Sequence, residues 1–166
     1  MLRNACIALL ALAATALFAS AAVAGAPHKS WPKRTGELWI NHANGDATHH
    51  GTARNDELLG GHGDDVIYGH KGADVIWGDQ GATGNTVHQW DHIYGGGGKD
   101  WIYASHGRST IYAGGGNDKV RVWFGHGFVD CGPGHDILYV SKKQGPHVKR
   151  RNCEVISHLS ARQAEG

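Results

Sequence analysis

Between Gly51 and Tyr139 an aliphatic residue recurs every nine positions, with one interruption, and six turn-forming residues separate each short apolar run from the next. The recurring residues are Leu58, Ile67, Ile76, Ile93, Ile102, Ile111, Val120, Val129 and Leu138. A helix would repeat its apolar positions at three and four, and a long amphipathic strand would alternate throughout. This pattern does neither, and predicts a three-residue strand after each six-residue turn. Written out, the unit is G-G-x-G-x-D-x-U-x with U aliphatic. Its cleanest copy is 60–68 (GGHGDDVIY), in phase with 51–59 (GTARNDELL), 69–77 (GHKGADVIW), 95–103 (GGGGKDWIY), 113–121 (AGGGNDKVR) and 131–139 (CGPGHDILY). Glycine at the first, second and fourth positions lets the backbone turn with positive φ at little steric cost.

This glycine-aspartate nonapeptide resembles the hemolysin-type (RTX) calcium-binding repeat family over about half of the chain. The resemblance implies an all-β fold. It is a parallel β-roll, a right-handed parallel β-helix-like solenoid in which two nonapeptide half-coils make one coil. The central strand residues then point inward, and nine half-coils stacked at the inter-strand spacing give a rod about 20 Å long. So thin a core calls for additional support.

Turns of backbone carbonyls with one carboxylate offer hard oxygen donors, which suit Ca²⁺. In the family resembled, each ion sits between successive turns on one edge, so ligands come from units two apart. One edge then carries Asp56, Asp74, Asp100, Asp118 and Asp136, which leaves four gaps for ions. The other carries Asp65, Asp91, Ser109 and Gly127, with at most one site, between Asp65 and Asp91. About eight extra residues precede Asp91 and predict a loop bulging between Gly78 and Trp90. The alternative for all these aspartates is capping of turns through side-chain to backbone hydrogen bonds. A site with Kd of about 0.1 mM in about 1 mM calcium contributes about 1.4 kcal/mol, so four contribute about 6 kcal/mol. That is comparable to the whole stability of a small domain.

Residues 1–24 read as a secretory signal peptide, with Arg3 as the only charge, an apolar run and Ala22-Val23-Ala24 as the cleavage site. No later segment approaches a membrane span. The expectation is a secreted, extracellular monomer exported by a Sec-type route, as the small secreted RTX-repeat proteins it looks like imply. With Cys6 removed, Cys131 and Cys153 remain as an even pair, and a disulfide between them would tether a C-terminal cap over the open end of the roll. The chain-entropy model makes such a loop worth about 3 kcal/mol. The predicted divisions are 25–50 as a flexible lead and N-terminal cap, 51–139 as the roll, and 140–166 as C-terminal cap and basic tail. Within the lead, residues 37–41 predict a short strand whose Trp39 covers the N-terminal core.

Charge changes the picture little. The repeats hold 11 acidic against 6 basic residues, and the tail answers with Lys142, Lys143, Lys149, Arg150 and Arg151. Nothing resembles a nucleic-acid module. The last strand position is Tyr68, Trp77, Tyr94, Tyr103, Tyr112 or Tyr139 in six of the nine units, and is expected to face outward. Such a ladder supports another reading, a surface-binding module for carbohydrate, cell-envelope polymer or ice. Where the second edge loses its aspartate, His106 stands beside Ser109, and Zn²⁺ or Cu²⁺ is conceivable there. No G-x-S-x-G or H-E-x-x-H occurs, and the roll leaves no room for a second domain of ordinary size, so the expectation is a protein that is not an enzyme.

Overall fold

The computed structural model describes residues 30–43, 45–79 and 88–158. The predicted signal peptide and the body of the loop before Asp91 lie outside them. Among the described residues the strands form two parallel sheets, one on each face of a solenoid of about six coils. The seven-stranded sheet runs β1 (Leu38–Ile40), β3 (Glu57–Leu59), β5 (Val75–Trp77), β7 (Trp101–Tyr103), β9 (Lys119–Val122), β11 (Ile137–Val140) and β13 (Val155–Ser157). The six-stranded sheet runs β2 (Thr48–His50), β4 (Val66–Lys71), β6 (Trp90–Gly97), β8 (Arg108–Gly115), β10 (His126–Asp130) and β12 (Val148–Arg151).

The nine-residue period places every central strand residue in one of two inward columns. Trp39, Leu58, Ile76, Ile102, Val120, Leu138 and Ile156 are in register on the first sheet. His49, Ile67, Ile93, Ile111 and Val129 are in register on the second, whereas Arg150, which pairs with Val129 in the tail coil, is exposed and Val148 reaches the core instead. The nine aliphatic residues of the repeat are all buried and form one continuous core. At the N-terminal end the core is closed by Trp39, which packs against it and stacks on His49 with ring centroids 4.2 Å apart. At the other end the Cys131–Cys153 disulfide is formed, and β12 and β13 add a further coil to the stack.

Two details depart from the sequence reading. Strands β4, β6 and β8 run six to eight residues instead of three, because the first positions of the following turn stay in parallel register with the next coil, as in the pairs Gly96↔Gly114 and Gly97↔Gly115. The aromatic ladder is two ladders, since consecutive units belong to opposite sheets. Tyr68, Tyr94 and Tyr112 lie on the six-stranded sheet, whereas Trp77, Tyr103 and Tyr139 lie on the other. Tyr103 and Tyr139 are only 4% and 8% exposed, which corrects the expectation that every ladder ring faces solvent. Trp31 of the lead packs edge-on to Trp77 and Tyr103 and donates its indole N–H to the Tyr103 hydroxyl at 2.8 Å. The Arg121 guanidinium lies 5.0 Å from the Tyr103 ring centre and 5.8 Å from that of Tyr139.

Candidate metal centre

Turns of the odd units, 51–56, 69–74, 95–100, 113–118 and 131–136, stack along one edge of the roll and bring their aspartates into a single buried column. Each carboxylate reaches back to the coil before it. The Asp56 N–H donates to Asp74 Oδ1 at 2.8 Å and the Asp74 N–H to Asp100 Oδ1 at 2.9 Å. The Asp100 N–H donates to Asp118 Oδ1 at 2.9 Å and the Asp118 N–H to Asp136 Oδ1 at 2.8 Å. One oxygen per residue thereby ties the coils together.

The second oxygen separates the column into two kinds of residue. Oδ2 of Asp74, Asp100, Asp118 and Asp136 is buried without a hydrogen-bond partner. A buried carboxylate oxygen left unmet is costly, so each such atom calls for a cation or a proton. Asp56 is different. Its Oδ2 accepts the Thr52 N–H at 2.6 Å, its Oδ1 accepts the Glu37 N–H at 2.7 Å, and the Thr52 hydroxyl lies 2.9 Å from Oδ1. That turn, G-T-A-R-N-D, has replaced two glycines and closes on its own aspartate.

Around Oδ2 of Asp74 and Asp100 space is kept open by a first-position glycine, whereas Ala113 and Cys131 hold that position in the turns of Asp118 and Asp136. A Cβ at Gly69 would stand 2.6 Å from Asp74 Oδ2 and 2.4 Å from the Gly95 carbonyl, and one at Gly95 would stand 2.7 Å from Asp100 Oδ2. At the fourth position Gly98 and Gly116 have φ of +137° and +150°, and a Cβ there would fall 1.7 Å and 1.5 Å from the carbonyl oxygens of Gly72 and Gly98. The edge is thus lined by carboxylate and backbone carbonyl oxygens, a donor set of hard ligands that fits Ca²⁺.

Electrostatics agree with a missing positive charge. Burial pushes the Asp74 carboxyl up to about 7, with the Asp56 carboxylate adding to the shift. Burial likewise raises Asp100 to about 8, helped by repulsion from Asp118 and Asp74, and Asp118 to about 6, helped by Asp136. Asp136 is raised for the same first reason.

The even edge is built otherwise. Both Asp65 oxygens are met, Oδ1 by the Ala47 N–H at 2.9 Å and Oδ2 by the Gly61 N–H at 3.1 Å. Asp91 Oδ1 accepts the Asp65 N–H at 2.9 Å, and burial raises its carboxyl to about 7. Where Ser109 replaces aspartate, its hydroxyl accepts the Ser105 N–H at 3.1 Å and the turn closes on a serine pair. His106 does not stand alone there. Its Nδ1 lies 3.2 Å from Asp79, a buried residue that also approaches His62 at 3.3 Å. Among the described residues no group of three or more His, Cys, Asp or Glu side chains gathers at metal-binding spacing.

Two acidic residues of the same register were not legible as such in the sequence. Glu37 and Glu154 occupy the sixth position of coils whose turns lack the glycine pattern, and they flank the aspartate column at its two ends. A second ladder was missed as well: the fifth-position side chains of Asn55, Asn117 and Asp64 accept the N–H of Ala73, His135 and Trp90 in the next coil at 2.8, 3.0 and 2.7 Å.

The repeat can be set against known families at this point. The RTX calcium-binding nonapeptide repeat matches in four copies, over residues 50–83 and 94–129. Residues 50–129 of this chain carry RTX calcium-binding nonapeptide repeats. The gap between the matched segments holds the insertion before Asp91, and the last RTX unit and the tail coil follow the matched span. No curated protein and no solved structure matches the chain. The RTX repeats and the parallel β-roll together fit a calcium-binding repeat protein.

Proposed function

We propose that this is a secreted, non-enzymatic protein whose roll is completed by structural Ca²⁺ along the odd edge, between the turns of Asp74, Asp100, Asp118 and Asp136. The observation that carries this reading is the run of four buried Oδ2 atoms without partners. Calcium, when bound, supplies the positive charge that keeps these carboxylates ionised in a dry edge. The chain does the rest. Oδ1 of each aspartate holds the coil before it through a backbone N–H, Oδ2 is presented to the ion, and glycine keeps the neighbouring carbonyls within reach. Asp56 and Asp65, whose oxygens are all met, serve as turn caps. Among the described residues of the even edge, Asp91 keeps an Oδ2 without a hydrogen-bond partner and is the candidate there for an ion. Secretion rests on the N-terminal sequence of Met1 to Ala24.

The surface-binding reading gains no support from ring geometry. On the open face His50, Tyr68, Tyr94 and Tyr112 stack on one another at 4.4, 4.7 and 5.4 Å, within 7° of parallel. Rings stacked in this way spend most of their faces on each other and turn edges outward, whereas sugar stacking needs free faces.

Isothermal titration calorimetry tests the assignment. Replacing Asp74, Asp100 and Asp118 together by asparagine should abolish most calcium binding, while Asp56→Asn alone should leave the number of ions unchanged. Equal loss in both variants would contradict it.

A further inference from the structure

The two ends of the aspartate column carry the same kind of residue at the same position, half-buried at Glu37 and exposed at Glu154, and the two carboxylates differ in what they bind. Glu37 gives its backbone N–H to Asp56, but its carboxylate turns to His49, 2.6 Å from Nε2, and the Asp56 oxygens are already met. Among the described residues no buried carboxylate oxygen at that end is left unmet. At the other end Glu154 Oε2 accepts the Asp136 N–H at 2.8 Å, repeating the contact that each aspartate of the column makes with the coil before it. Asp136 is wholly buried although it closes the last nonapeptide, because β13 continues the stack beyond β11, and its Oδ2 has no hydrogen-bond partner.

The tail coil is fixed firmly enough to hold such a geometry. Cys153, next to Glu154, is bonded to Cys131, the first residue of the unit that contains Asp136. Asp130 binds the Arg151 guanidinium and accepts the Asn152 side-chain amide at 2.8 Å. Asn152 takes a positive φ of 53° at the fourth position, where the nonapeptide turns have glycine with positive φ, as at Gly98 and Gly116. The tail thus forms a turn of the repeat type without the repeat sequence.

We infer that Glu154 and Asp136 form a further calcium site, at the junction between the last nonapeptide and the tail coil, and that the Cys131–Cys153 disulfide positions it. This inference rests on the reading of the odd edge as a calcium edge. It links redox state to calcium: opening the disulfide frees the coil that carries Glu154, and an ion held between Asp136 and Glu154 resists that opening.

Glu154→Gln is the discriminating variant, since a glutamine carbonyl still accepts the Asp136 N–H while the charge is lost. Equilibrium dialysis with radioactive calcium should show one ion fewer per chain in this variant than in the unaltered disulfide-bonded protein, with the far-UV circular dichroism at saturating calcium unchanged. In a dithiothreitol redox buffer at saturating calcium the disulfide–dithiol equilibrium should lie at least about fivefold further towards the dithiol in the variant, because coupling between two sites is reciprocal. An unchanged ion count would overturn the site and leave Glu154 a backbone cap. Equal disulfide–dithiol equilibria would overturn the link to the disulfide. A protein that binds no calcium in any form would overturn the parent reading instead, an outcome distinct from both.

Discussion

Asp56 and Asp74 occupy the same position of adjacent odd units, yet only one of them is left with a buried oxygen to fill. The difference lies in the turn, where Thr52 gives Asp56 both its N–H and its hydroxyl while Oδ2 of Asp74 meets no donor. Asp56→Asn should therefore cost about 1 kcal/mol through a weakened cap, seen as a lower urea midpoint, without a change in calcium count. Gly98 makes the opposite case. A methyl group there meets the Gly72 carbonyl in a backbone that disfavours any side chain. Gly98→Ala should destabilise the calcium-loaded roll by about 3 kcal/mol or more, measurable by chemical unfolding. A loss below about 1 kcal/mol would mean that the coils at this edge are free to separate.

At the level of the strand and turn, the period of nine was enough to locate the core because burial of a β-branched or leucine side chain at every central position has only one solution, the stacked coil. Units that keep the glycines were legible for that reason. Of the flanking coils only the first strand, with Trp39 over the core, was legible; the turns were not, since P-K-R-T-G-E before β1 and K-R-R-N-C-E before β13 have lost the turn signature, and their strands are held by pairing with β3 and β11. Glu37 and Glu154 were hidden with them. The aromatic ladder was legible as residues but not as two faces, and the role of Trp31 depends on a contact with Tyr103 that is 72 positions distant in sequence. Trp31→Ala should remove a cover from Trp77 and Tyr103 and lower stability by about 2 kcal/mol, with tryptophan fluorescence shifting to longer wavelength. An unchanged spectrum would show that the lead does not pack on this sheet.

Across the whole molecule, a row of carboxylates with raised pKa makes stability depend on pH in a direction set by calcium. Without the ion, Asp118, Asp74, Asp91 and Asp100 titrate near 6, 7, 7 and 8 in the fold, above their ordinary value near 3.8. At these four groups the folded state then binds more protons than the unfolded state, so their contribution to metal-free stability is fully present below about pH 4 and is lost as pH rises through 6 to 8. Calcium needs the ionised form, so its midpoint should move to higher concentration as pH falls below about 7. Thermal unfolding at pH 5 and pH 8, each with chelator and with calcium, checks both signs. A metal-free protein more stable at pH 8 than at pH 5 would contradict the carboxylate column as described.

The most direct test is a calcium titration of the chelator-treated, disulfide-bonded protein at pH 8, followed by far-UV circular dichroism with magnesium as control. The account predicts a weak β signal without calcium, a cooperative gain on adding it, and no gain with magnesium. A full β spectrum in chelator, unchanged by calcium, would contradict it and leave the aliphatic columns and the disulfide as what holds the roll.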